Sequence, residues 1–271
     1  VDALRSKAVS DEGADTDAVT IMERAGTEPD PWQHALLTSE WDRALLNCAR
    51  QSGKTTVSAA LALEAALQGP DRLVLILAPA RRQSKEFLRS VRTLYRDAGC
   101  EVELDKGSEL RIRFENESRI IALPGKEGTV RGYSADLVIA DEAARVPDSA
   151  YVATRPMLAV TDGRFVGLST PAGQRGWFYT AWSDPEQTWQ RVKVTGKDCP
   201  RMDDEFLEQE RREMGDWEWA SEYMCQFQDE VDQLYRTEDI QAALTDDVGP
   251  LFDEDTDDHL TDTDPLFPAD G

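Results

Sequence analysis

The chain has no apolar run near the length of a membrane span, so no membrane-crossing helix is expected and a membrane is not among its expected partners. No basic-then-apolar leader opens it, so no secretion signal is expected. The missing initiator Met points to a processed, excised or trimmed N-terminus. The cysteines Cys48, Cys100, Cys199 and Cys225 lie far apart and form no metal-ligand pairs. They are read as reduced thiols in an intracellular compartment. Lysine is scarce, with only seven among 30 basic residues, while 53 acidic residues bring the net charge to −23. Acid spread over a surface with little Lys suits solubility in very high salt, and a halophilic source is expected. The other reading is an acidic protein with two acidic tails. An acidic balance normally argues against a nucleic-acid partner, but screening in high salt weakens that argument. The 271 residues suffice for one large domain or two small ones with a sizeable core.

What is present is organised around Cys48-Ala49-Arg50-Gln51-Ser52-Gly53-Lys54-Thr55-Thr56. The apolar run Ala44–Ala49 leads in and the alanine-rich run Val57–Leu67 leads out, which reads as strand, loop and helix. A helix N-terminus offers free N–H groups and a positive dipole end to phosphate oxygens. Gly53 lets the backbone approach closely. Lys54 would reach the β- and γ-phosphates, and the Thr55 hydroxyl would take one position on Mg²⁺. Ser52 and Thr56 flank these groups in the same cradle. The motif departs from G-x-x-x-x-G-K-[ST] at its first glycine, which is Cys48 here. The bland reading is an ordinary strand–turn–helix with an exposed lysine. Upstream, Pro31 suits a helix start, and Gln33 carries a carboxamide that can donate and accept at an adenine edge.

Downstream, Arg72–Pro79 reads as a buried parallel strand and Ala80–Ala98 as a helix. That helix carries Arg81, Arg82, Lys85, Arg89, Arg92 and Arg96, either as a solvated face or as one turned to nucleic acid. Segments 109–114 and 119–123 alternate around an Asn-Glu-Ser turn, as in a hairpin. The apolar run Ala135–Ala140 ends in Asp141 and Glu142, at the strand end where open parallel sheets bind ligands. Asp141 would hold Mg²⁺, and Glu142 would orient or deprotonate an attacking water. A second such strand ends in Ser169 and Thr170, which either sense a γ-phosphate or cap a turn before Pro171. Trp177, Phe178, Tyr179 and Trp182 are core or a lid contact; Trp189–Val194 alternates as a strand. Asp203–Met214 and Trp217–Phe227 read as helices. Residues 1–27 read as a mobile acidic segment with one helical piece around Ala18–Ala25, 28–245 as the ordered domain, and 246–271 as an acidic disordered tail or linker.

The order Pro31-Trp32-Gln33, Arg50-Gln51-Ser52-Gly53-Lys54, Asp141-Glu142-Ala143-Ala144 and Leu168-Ser169-Thr170-Pro171 with Arg175-Gly176-Trp177-Phe178 resembles the ATPase domain of the large terminase subunit of tailed viruses, over about residues 28–245. The resemblance implies an α/β P-loop ATPase of the RecA-like, additional-strand type, with a mostly parallel central sheet of seven or eight strands flanked by helices. It implies ATP and Mg²⁺ as ligands, Gln33 as the adenine-recognising residue, Arg50 as a loop arginine that contacts phosphate, and Ser169 and Thr170 as the motif coupling hydrolysis to movement. Arg131 matches an arginine that reaches into a neighbour's site, or else pairs with a nearby carboxylate. The implied partners are double-stranded DNA, other copies of the chain in a ring, a portal and procapsid, and a small terminase subunit. The implied place of action is the host cytoplasm.

Large terminases usually continue into a nuclease domain. Here Asp253, Glu254, Asp255, Asp257 and Asp258 fall on no expected strand to hold two metals, so nuclease activity is not expected in this chain. The nuclease would be a separate or removed polypeptide. Two rival readings are a helicase-like translocase, which would need a second nucleotide-clamping domain, and a non-catalytic ATP-binding docking subunit. Intact Lys54, Asp141 and Glu142 argue against the second.

Overall fold

A computed structural model describes residues 17–100, 109–124 and 132–228. The expectations for residues 1–16, for Arg131 and for the acidic tail from 246 onward lie outside the described residues. The apolar runs become the strands β1 (Arg43–Cys48), β2 (Leu73–Ala78), β4 (Arg119–Pro124), β5 (Leu137–Asp141) and β6 (Arg164–Ser169), with short β3 (Arg111–Arg113) and β7 (Gln190–Val194) at the edges. They form one seven-stranded sheet in the order β3-β4-β2-β5-β6-β1-β7. All neighbours are parallel except β3, which returns antiparallel on β4 as the hairpin pattern implied.

Strand side chains alternate between faces, and each strand of the sheet centre therefore feeds two cores. Val74 and Ile76 of β2 join Leu46, Ile139, Val166 and Leu168 on one face, beneath the helices α1 (Ala18–Arg24), α3 (Lys54–Leu67) and α4 (Arg81–Asp97). Leu73, Leu75 and Leu77 turn to the other face with Leu45, Val138 and Phe165, against α5 (Asp148–Ala159) and α6 (Gly176–Ser183). Helix α3 is buried nearly all round. Its alanines combine high helix propensity with small volume, so it lies close to the sheet and beneath other helices. On α4 the apolar positions Phe87, Leu88, Val91, Leu94 and Tyr95 are buried as read. Its cations face outward, and several are matched: Lys85 and Arg81 to Glu109, Arg89 to Glu86, Arg96 to Asp97.

Two boundaries and one helix differ from the sequence reading. The helical piece expected around Ala18–Ala25 is α1, but it is packed rather than part of a mobile segment, burying Ala18, Ile21 and Met22. The Ala18 N–H also donates to the Glu64 carboxylate of α3 at 3.4 Å, so the packed body begins by Asp17. Helix α5 was not read at all. Finally, the helix expected over Trp217–Phe227 is α8 (Asp216–Glu222), which follows α7 (Asp204–Met214) and stops five residues early. The aromatic cluster is core: Phe178 is fully buried, and Trp177 stacks on Tyr151 at 4.3 Å between ring centroids. A small third core of Cys199, Met202, Leu207 and Tyr223 holds α7 and α8 together.

Candidate active site

The sheet order sets the site. Strand β6 lies between β1, which leads into the glycine loop, and β5, which ends in the acids. Two strand spacings separate the loop from Asp141, roughly 9–10 Å. Ser169 and Thr170 end the strand between them.

The loop turns through left-handed backbone at Gln51 (φ 54°) and Gly53 (φ 91°) before α3 begins at Lys54. Gly53 is favoured by its left-handed backbone, and a Cβ there would sit 2.6 Å from Gln33 Nε2 and displace that amide. Lys54 is 8% exposed, and its Nζ donates to the carbonyls of Cys48 (3.2 Å) and Ala49 (3.0 Å). The loop is fastened from beneath by the C-terminal part of the domain. Ala49 N–H donates to Val194 O, Arg50 N–H to Glu222 O at 2.9 Å, and the Asn47 amide to Cys225 O at 3.0 Å. Cys225 adopts φ 55° to present that carbonyl.

Asp141 is buried, and burial is the main reason its carboxyl is pushed up to about 7. The neighbouring Glu142 charge adds to the rise, and Lys54 opposes it. The two acids and the lysine therefore share one electrostatic environment. Glu142 holds left-handed backbone (φ 51°, ψ 47°), uncommon for a residue with a Cβ and of a kind found at functional positions. Its carboxylate accepts from Arg145 Nη1 at 2.9 Å, in the 3₁₀ turn Ala143–Arg145 that follows. The same Arg145 nitrogen lies 3.3 Å from Thr170 Oγ1, and Arg145 Nη2 lies 3.8 Å from Glu222. Glu222 also pairs with Arg50, 3.9 Å away, whose side chain is 62% exposed. Ser169 Oγ is buried with no hydrogen-bond partner among the described residues.

A cavity of about 650 Å³ joins Gln33, Arg50, Lys54, Thr55, Glu142 and Arg201; Ser52, Gly53 and Thr56 line it as well. Gln33 is buried. Its Oε1 accepts from Asp30 N–H at 2.9 Å, closing a capping box at the start of α2 (Pro31–Thr38), and its Nε2 donates to Gly53 O at 3.2 Å. A larger cleft of about 820 Å³ opens at the amino ends of β1, β6 and β7, lined by Trp41, Tyr151, Phe165 and Trp189. It contains none of the motif residues, so the smaller cavity is the chemically equipped one.

The structure thus brings together Gln33, Arg50, the loop residues, Asp141, Glu142, Ser169 and Thr170. The sequence reading missed Asp30, Arg145, Arg201 and Glu222. Asp30 was detectable, because Asp-Pro-Trp-Gln has the spacing of a capping box. Arg145 sits one helical turn past Glu142, a weak signal, and Arg201 and Glu222 have no local signal.

The charge and donor set suits a divalent cation bound alongside phosphate. Mg²⁺ takes one or two carboxylates and completes its shell with phosphate and water, so Asp141 and the Thr55 hydroxyl are enough protein ligands. A cation beside Asp141 would also offset the desolvation that now raises its carboxyl.

The family described as "Terminase large subunit, T4likevirus-type, N-terminal" matches residues 45–242. The terminase large subunit of Escherichia phage T5 is 26% identical over 229 residues, covering 80% of this chain and 52% of that protein. The terminase large subunit of Thermus virus P23-45 is 31% identical over 180 residues, 59% of this chain and 37% of the relative. The chain thus spans about half or less of the length of these relatives. Among solved structures, the large terminase ATPase domain of Thermus phage P74-26 superposes with a TM-score of 0.66 at 26% identity, over 76% of this chain and 97% of that one. The large terminase of a thermophilic bacteriophage in complex with ADP gives 0.61 at 14% identity, over 80% and 53%, which speaks to the fold alone.

Proposed function

The chain belongs to the T4-like large-terminase family, in its N-terminal part, and from that premise we propose that it is the ATP-hydrolysing domain of a viral DNA-packaging motor. The observation that carries the reading is the meeting of Lys54, Asp141 and Glu142 at one rim of the sheet, where Glu142 and Lys54 act on the Asp141 charge in opposite directions.

The phosphates of ATP would lie on the loop, received by the first N–H groups of α3 and by Ser52, Gly53, Lys54, Thr55 and Thr56. Lys54 would exchange its two carbonyl partners for phosphate oxygens. Asp141 and Thr55 would hold Mg²⁺, which when bound neutralises phosphate charge. Glu142 would take a proton from water as the water oxygen attacks the γ-phosphorus. The bond from phosphorus to the bridging oxygen then breaks, and ADP leaves. Arg50 lies at the loop's mouth, able to leave Glu222 for a phosphate. Gln33 keeps one amide hydrogen and one lone pair for the adenine edge. Ser169 and Thr170 lie between loop and acids, and the Ser169 hydroxyl, buried without a partner among the described residues, suits a group that meets phosphate. Through Thr170, Arg145 and Glu222, a change at Glu142 would reach α8.

Motion of double-stranded DNA into a procapsid, action as a ring beside a portal and a small subunit, and Arg131 as a finger into the adjoining copy complete the proposal. They rest on family membership. Nuclease chemistry is no part of it, and the tail acids lie outside the described residues.

The test is Glu142→Gln. Nucleotide should still bind, while hydrolysis drops by about 10²–10⁴, the usual range for a positioned general base. Turnover at the parental rate in that variant would remove the mechanism.

A further inference from the structure

Arg201 enters the nucleotide cavity from a part of the chain that carries no motif. Its neighbours Cys199 and Met202 are buried in the small core beside α7, which fixes the backbone on both sides of it. Its guanidinium makes a two-pronged bond to Asp30: Nη1 donates to Oδ1 at 2.9 Å and Nη2 to Oδ2 at 2.7 Å. Nη2 also donates to Ser52 O at 3.0 Å. The side chain is still 51% exposed, while that of Asp30 is 8% exposed. The plane of the guanidinium is thus locked at the cavity edge, with Nη2 3.3 Å from where a Gly53 Cβ would lie.

The strength of its pairing separates this arginine from Arg50: Asp30 matches its charge through two short bonds at 2.9 and 2.7 Å, whereas Arg50 lies 3.9 Å from Glu222. What Arg201 offers the cavity is a fixed flat surface next to Gln33. Guanidinium planes stack on aromatic rings, and a lysine lacks that surface.

We propose that Arg201 is a nucleoside-positioning residue whose guanidinium plane packs against the purine base of the bound nucleotide while Gln33 meets the base edge. The assignment rests on the nucleotide-site reading above. It would make the α7–α8 unit part of the nucleoside pocket, so that the base, and not only the phosphates, is sensed by that unit.

The test compares binding of MgATP and of Mg-tripolyphosphate, which has no base or sugar, by titration calorimetry. Arg201→Ala should weaken ATP by about tenfold, the worth of one desolvated cation–π contact, and leave tripolyphosphate unchanged. Arg201→Lys keeps a charge for Asp30 but loses the plane, and should follow Arg201→Ala. Thermal melts of both variants establish that they are folded. Equal losses for ATP and tripolyphosphate would overturn the proposal in favour of a loop strap. Wild-type affinity in Arg201→Lys would overturn it in favour of simple charge. If the wild-type protein binds tripolyphosphate no better than Lys54→Ala does, the phosphate-site reading falls, and the proposal falls with it.

Discussion

Replacing Asp141 with Asn should stabilise the metal-free, nucleotide-free protein, and by an amount that grows with pH. The carboxyl is buried and pushed up from 3.8 to about 7. Below pH 3.8 it is neutral in both folded and unfolded chains and costs nothing. Between 3.8 and 7 the unfolded chain releases the proton while the folded one keeps it, so stability falls as pH rises. Above 7 both forms are ionised and the loss is constant. A shift of about three units at 1.36 kcal/mol each gives a plateau of about 4 kcal/mol. An asparagine of the same shape has no such dependence. Urea unfolding of both proteins at about pH 4.5, 6 and 8, at fixed salt, isolates Asp141 together with its coupling to Glu142 and Lys54, because the titrating groups away from that cluster are common to the pair. The gap should be smallest at the acid end and level off near the alkaline end. Two stability curves that run parallel across that range would show that Asp141 is not desolvated as described, and would weaken its part in the site.

Other outcomes follow from the packing. Gly167→Ala places a Cβ 2.9 Å from the Trp177 ring and should destabilise by about 1–3 kcal/mol, measurable as a lowered urea midpoint. Phe178→Ala removes a fully buried ring and should cost about 3–5 kcal/mol in the same assay. Gly53→Ala forces a side chain onto φ 91° and against Gln33, and should abolish nucleotide binding in a filter or calorimetric assay while the fold persists by circular dichroism. With a net charge of −23, the thermal midpoint should rise steadily with KCl; a midpoint independent of KCl would exclude adaptation to high salt.

Contiguous signals were legible in the sequence. The strands β1, β2, β5 and β6 are mostly apolar, because both of their faces are covered, and the glycine loop and the acid pair stand at the ends of β1 and β5. Helix α5 was hidden for a physical reason. It buries Ala150, Thr154 and Met157, a small and partly polar set, exposes Val152, is followed by the exposed Val160, and contains Pro156, so no apolar period marks it. The end of α8 was misread because Tyr223 and Phe227 keep a helical spacing. In fact Phe227 packs on Phe178, Tyr179 and Trp182 from a non-helical segment that follows the left-handed turn at Cys225. The clasp of Arg201 on Asp30, 171 residues apart, exists only through tertiary structure.

The tie between Asn47 and Cys225 spans 178 residues. During synthesis the glycine loop therefore emerges early but gains its underpinning in steps, from Val194, then Glu222 and last Cys225. A nascent chain interrupted before residue 194 would carry every motif of the pocket and still lack these supports beneath it.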